Sequence, residues 1–280
     1  MVETPSGKQA GDENFPVGSW LLPAHLRPHV ATYYAYARAI DDIADNPGLT
    51  PDDKIARLDQ FEKILRGEDA ADEGLDKARA VRASMVAMGV DLQHGIDLVT
   101  AFKQDAVKLR YETWDELIHY CLHSAAPVGR FLIDLHGESK ETYPASDALC
   151  NALQVLNHLQ DCQDDFHALD RVYLPLDWMR EAGVTVDALD NLAANTALRQ
   201  VIDRCLDATE ALLDTARALP PGIRNTRFAM EAATILRIAE RLVIELRQRD
   251  PLAERVVLSK PRYLRCGVSG IWAALRRKPA

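Results

Sequence analysis

The chain has 280 residues, 48% of them hydrophobic, which is ample for a substantial core. Ala, Leu, Arg, Asp and Glu recur while dense Val/Ile/Thr runs are scarce, so an all-α fold is expected and a β-rich one is not. A net charge of −9 argues against nucleic acid as a partner, and five scattered cysteines without a CxxC pair read as reduced thiols, not a zinc site or disulfide frame. That thiol pattern fits a cytoplasmic protein.

Residues 1–13 are polar and expected to be disordered, with no secretory signal, and Asn14 to Pro23 is an apolar, turn-rich entry. Leu26 to Asp45 reads as a helix with Val30, Tyr33, Ala37, Ile40 and Ala44 in helical period, ended by Asn46-Pro47-Gly48. Thr50 and Pro51 cap and start the next helix, whose stripe runs through Ile55, Leu58, Phe61 and Leu65. Helices are expected over 73–88 and 91–110, then a longer one over 113–136, ended by His136-Gly137. A further helix covers 145–169, an irregular connection 171–184, and two long helices 196–219 and 224–249, parted by Pro220-Pro221-Gly222. With no repeat and no strong internal boundary, residues 14–250 read as one domain and 251–280 as a basic tail. Nowhere does an apolar run approach the roughly 18–20 residues of a membrane span.

Two polar stripes stand out. A helix turns about 100° per residue, so Tyr34, Arg38, Asp41 and Asp45 share one face, as do Gln154, Asn157, Asp161 and Asp165. Stacked carboxylates repel one another, and a hard divalent cation relieves that repulsion. Mg2+ prefers oxygen ligands and is commonly shared between one or two carboxylates and substrate phosphates. Two facing stripes of this kind suit a Mg2+–diphosphate site, with Arg38 as a bidentate phosphate contact. Asp42 and Asp164 lie off the stripe axes and are expected to face solvent or support the inner residues. A lone DDxxD helix would be read as solvated charge; the pair, with Arg, Asn and Gln in register, is not.

These residues carry a family resemblance. Tyr34-x-x-x-Arg38-x-x-Asp41-Asp42-x-x-Asp45 is similar to the first aspartate-rich motif of the head-to-head trans-isoprenyl diphosphate synthases, the squalene/phytoene synthase family. Gln154-x-x-Asn157-x-x-x-Asp161-x-x-x-Asp165, followed by Arg171-Val-Tyr-Leu-Pro175, is similar to the second, and Tyr120-Cys121 to Val128-Gly129 resembles the helix bearing an active-site tyrosine. The match runs from about residue 14 to 250. Within the family, Asn14 to Ser19 and Asn157-His-x-Gln-Asp161 look like bacterial hydroxysqualene synthases of hopanoid pathways. Gln160 stands where many phytoene and squalene synthases carry Arg, which removes a cation from beside the second motif.

The resemblance implies a single-domain isoprenoid-synthase helical bundle with a central apolar cavity. It implies that Mg2+, held by Asp41, Asp45, Asn157, Asp161 and Asp165, promotes loss of diphosphate from presqualene diphosphate. Tyr34, Arg38, Gln154, Asn157, Arg171 and Tyr173 would bind substrate, Tyr120 would orient phosphate or stabilise positive charge, and water would capture the rearranged cation without NADPH. Arg171 and Tyr173 are placed as a lid over the diphosphate, the other option being a surface loop. Presqualene diphosphate synthase acting on farnesyl diphosphate, squalene synthase, and a silent helical assembly protein are the alternatives. Gly129 fits close approach of an isoprenoid chain or a neighbouring helix, or a simple kink with Pro127. His119 and His123 lack a metal-ligand context. From Arg255 to Ala280 the tail carries seven basic residues and no acidic ones, interleaved with Tyr263, Ile271, Trp272 and Leu275. Such a tail suits contact with an anionic membrane surface, or a terminal helix packed on the body.

Overall fold

Local chemistry sets the helix ends. Thr50 and Asp53 form a reciprocal capping box and Pro51 opens the first turn of the helix Pro51–Arg66. Gly67, at φ 84°, closes that helix in the left-handed region that glycine enters without penalty. Thr113, Asn195 and Asn225 accept backbone N–H groups at the starts of three later helices.

The computed structural model describes Val2 and residues 21–68 and 74–276. Its helices are α1 (Arg27–Ala44), α2 (Pro51–Arg66), α3 (Asp76–Met88), α4 (Gln93–Asp105), α5 (Trp114–Ser124), α6 (Ala126–Leu135), α7 (Tyr143–Gln160), α8 (Cys162–Leu169), α9 (Leu176–Glu181), α10 (Thr196–Ala216), α11 (Leu219–Gly222), α12 (Thr226–Gln248) and α13 (Lys260–Arg276). No strand occurs among the described residues; one isolated bridge joins Arg110 to Val172. The chain is a single all-α domain. The expectations for residues 1–13 (Val2 aside) and for Asn14 to Ser19 lie outside the described residues.

Several expected elements differ, among them the Pro220-Pro221-Gly222 separator, which belongs to α11. The 113–136 helix is two helices that meet at Ala125 (φ −121°, ψ −47°). Pro127 has no N–H to donate and its ring crowds the preceding turn, so the first helix ends and a new one starts around it. The 145–169 helix also breaks, at Asp161 (φ −107°, ψ 12°), which ends α7 and begins α8. The 171–184 connection contains α9.

α7 packs against α5, α6, α10 and α12, while α4 packs against α1, α2, α5 and α6. Gly129 permits the α6–α7 contact: a Cβ there would sit 2.4 Å from Ser146 Oγ and 2.7 Å from Cys150 Sγ. A neighbouring helix is therefore what the glycine accommodates. α13 lies along α12, where Gly270 lets the backbones meet; a Cβ on it would be 2.6 Å from Thr234 Cα.

Candidate active site

Tyr34, Arg38 and Asp41 project from α1 and Asp45 from its C-cap, Gln154 and Asn157 from α7; Asp161 sits at the α7–α8 joint and Asp165 on α8. All of them line one cavity of about 330 Å³, joined by Tyr120, Arg171 and Tyr173. Every candidate site residue read from the sequence thus faces the same space. Despite the break, Asp165 N–H donates to Asp161 O at 2.8 Å, which keeps the two carboxylates one turn apart.

Both arginines are held by the protein's own carboxylates. Arg38 donates to Asp41 Oδ2 (2.5 Å) and to Asp42 Oδ1 (2.6 Å), so the Asp42 carboxylate anchors Arg38 and does not face solvent. Arg171 is buried: Nη1 donates to Asp45 Oδ1 at 2.6 Å, and Nη2 to the carbonyls of Ala44 (3.2 Å) and Asp105 (3.1 Å). Tyr173 is buried too, its ring stacked on His158 at 3.5 Å between centroids. These residues form a floor, not a lid. The chain after α8 is drawn inward because Val172 N–H pairs with Leu109 O and Leu176 N–H with Tyr111 O.

Asp105 escaped the sequence reading. It is buried at the end of α4, accepts the Tyr120 hydroxyl on Oδ2 at 2.7 Å, and its Oδ1 has no hydrogen-bond partner. Burial pushes its carboxyl up to about 7, against the lowering effect of Arg171 and the Tyr120 hydrogen bond. Asp41 is likewise pushed well above the ordinary carboxylate range, first by desolvation and then by Asp45, with Arg38 opposing. Asp161 is raised by desolvation and by Asp165.

Arg255 is a second missed residue. It lies close enough to Asp161 to lower that carboxyl. Gln160 holds the segment there, donating to Val256 O at 2.6 Å from a buried position. Gln160 thus ties the α12–α13 connection to the second motif and does not line the cavity.

A second, apolar cavity of about 230 Å³ adjoins the first and shares Tyr34, Ala37 and Val128 with it. Leu149, Leu153, Phe131, Phe228 and Ile235 are among its walls, so apolar volume begins where the polar cavity ends.

The squalene/phytoene synthase family model matches residues 8–262. The chain belongs to that family. It is an enzyme of the isoprenoid-synthase type. It is similar to a hydroxysqualene synthase of Rhodopseudomonas palustris, 44% identical over 91% of this chain and 87% of that one. One from Sinorhizobium fredii is 42% identical over 93% of this chain and 88% of that one. Among solved structures, a squalene synthase from Alicyclobacillus acidocaldarius superposes with a TM-score of 0.73 at 31% identity, covering 83% of this chain and 87% of the other.

Among the described residues no three carboxylate, thiol or imidazole groups converge into a closed metal cage. The donor set instead suits an ion that completes its shell with water and substrate phosphate. Carboxylates held at raised pKa by desolvation and by one another mark where added positive charge would be most favourable.

Proposed function

We propose that this chain is a hydroxysqualene synthase that ionises presqualene diphosphate and captures the resulting carbocation with water. The observation that carries the ionisation chemistry is the polar cavity, lined by both carboxylate faces, that adjoins an apolar one. The diphosphate belongs in the first and the isoprenoid arms in the second. The choice of water as nucleophile rests on the similarity to the hydroxysqualene synthases above.

Asp41, Asp45, Asp161 and Asp165, with Asn157, would hold Mg2+, which supplies charge neutralisation to the leaving diphosphate. Arg38 is fixed by Asp41 and Asp42 at the cavity wall, where its guanidinium adds a cation on the α1 side. Gln154 and Asn157 offer amide contacts to the phosphates. As the C–O bond breaks, its electron pair leaves with diphosphate and the cyclopropylcarbinyl cation rearranges. Tyr120 and Tyr173 present π-systems near that charge, and Asp105 holds the Tyr120 hydroxyl in place. Water then forms the new C–O bond and releases a proton. The apolar walls restrict where water reaches the cation.

The squalene synthase structure at 31% identity favours one second reading, in which hydride replaces water. Purified protein with Mg2+ and presqualene or farnesyl diphosphate, with and without NADPH, separates the two by mass spectrometry of the product. Hydroxysqualene from presqualene diphosphate without NADPH supports the proposal; squalene formed only with NADPH sinks it. Asp161→Asn is expected to lose metal-dependent turnover with its helical circular dichroism intact. Contact of the basic C-terminal segment with a membrane surface belongs to the same reading, because a C30 product partitions into lipid. Among the described residues no helix is long and apolar enough to cross a membrane.

A further inference from the structure

We propose that α12 and α13 together form a docking face for an anionic lipid bilayer, with a headgroup-phosphate groove between the helices and an insertion stripe on α13. The inference deepens the surface contact just described and rests on that reading for the lipid-soluble product.

α13 has two unlike sides. Gly270 and Ala274 are buried against α12, whereas Leu264, Val268, Trp272 and Leu275 are 56–68% exposed. Their spacing of four, four and three residues puts the exposed four along one side of the helix. Arg265 and Ser269 lie between that stripe and the packed side, and both line the groove between the helices.

The groove supplies the charge. Arg237, Arg241, Arg262 and Arg265 line it, against the single carboxylate of Glu240. Buried Glu245, below it, pairs with Arg241 and with Arg262 (2.6 Å for the latter), and Glu240 with Arg237 at 2.7 Å. Those pairs fix the guanidinium groups in place, which suits bidentate contact with phosphate oxygens. Guanidinium groups beside an apolar stripe are the arrangement that binds headgroup phosphate and acyl chain together.

On a chain of net charge −9 this basic face is a local exception. A second copy docking here would bring two cationic faces together, which opposes self-association. The same turn of α12 serves both sites: Glu231, Ala232 and Ile235 line the apolar cavity, while Thr234 carries Gly270 of α13. Docking by this face therefore sets the product-holding cavity one helix away from lipid.

The test is flotation of the full chain with vesicles of phosphatidylcholine alone or mixed with phosphatidylglycerol. Binding to the anionic vesicles is expected to exceed that to neutral ones by about tenfold and to weaken with salt. Val268→Asp/Trp272→Asp and, separately, Arg237→Gln/Arg265→Gln are each expected to abolish it. Quenching by brominated acyl chains, lost in Trp272→Phe, reads insertion without altering charge. Equal binding to both vesicles, or none, overturns the proposal. So does displacement by inorganic phosphate matched to the lipid phosphate, which would mean a free-anion site. Sedimentation showing a dimer that the Asp variant converts to monomer would assign the face to self-association and also overturn it. Turnover of presqualene diphosphate in detergent is measured alongside: its loss with vesicle binding intact counts against the proposed activity, not against the docking face.

Discussion

Arg171, whose backbone N–H donates to Asp165 O at 3.2 Å, reaches the first motif with its side chain: Nη1 lies 2.6 Å from Asp45 Oδ1, although those two residues are 126 positions apart. The same guanidinium satisfies the Ala44 and Asp105 carbonyls. One buried cation therefore sets the end of α1, the end of α4 and the loop after α8 relative to one another.

Removing it leaves Asp45 without its partner and two buried carbonyls without theirs. Arg171→Met is expected to cost about 3 kcal/mol of stability in urea unfolding, chiefly because two buried carbonyls lose their donor, the half-exposed Asp45 carboxylate being left to water. Arg171→Lys should recover only part of that, since one ammonium cannot reproduce the planar fork that reaches all three acceptors. A loss below about 0.5 kcal/mol for the Met variant would contradict the bridging role.

Asp105 predicts a pH dependence. Its folded-state carboxyl is raised from 3.8 to about 7, mainly by burial, so the folded protein holds that proton more tightly than the unfolded chain does. This group's contribution is therefore favourable at low pH and is lost as pH rises through that window, by at most about 4 kcal/mol. Comparing urea midpoints of metal-free wild type and Asp105→Asn between pH 5 and 8 checks it. The variant should gain stability relative to wild type as pH rises, while still accepting the Tyr120 hydroxyl. A difference that does not change with pH would refute the assignment.

Gly129→Ala pushes a methyl group into Ser146 Oγ and Cys150 Sγ at the α6–α7 contact. Overpacking is expected to cost about 1–3 kcal/mol, outweighing a gain in helix propensity of about 1 kcal/mol. Adding Ser146→Gly and Cys150→Ala should return much of the loss in thermal unfolding. A Gly129→Ala protein more stable than wild type would show that α6 has room to move.

Arg255 should matter to substrate binding more than to folding, being exposed and near Asp161. Arg255→Ala is expected to raise KM for the diphosphate substrate about threefold to tenfold with little change in unfolding midpoint. Gln160→Ala, which frees the Val256 tether, should move KM the same way. Unchanged KM in both variants would leave Arg255 outside the site.

The first stripe was legible because α1 runs unbroken through Tyr34, Arg38 and Asp41 to its C-cap at Asp45, so helical period alone aligns them. The second was legible as a set of residues but not as a shape. Nothing in Leu159-Gln-Asp-Cys162 signals the break at Asp161, since no Pro or Gly stands there. The Pro127 break was visible in principle, yet the apolar run on both sides resembles one helix. Asp105 was hidden by its neighbours: beside Lys103, Gln104 and Lys108 a single aspartate looks solvated, and only tertiary packing buries it. Arg171 and Tyr173 were found, but their direction depends on backbone bonds to residues 109–111, which no local pattern specifies.

The most direct test of the central claim is a turnover of presqualene diphosphate in heavy-oxygen water, with Mg2+ and without NADPH, read by mass spectrometry of the C30 product. Hydroxysqualene carrying the heavy oxygen is the predicted result. Product alcohol bearing only the substrate's own oxygen, or no consumption of presqualene diphosphate, would contradict the account.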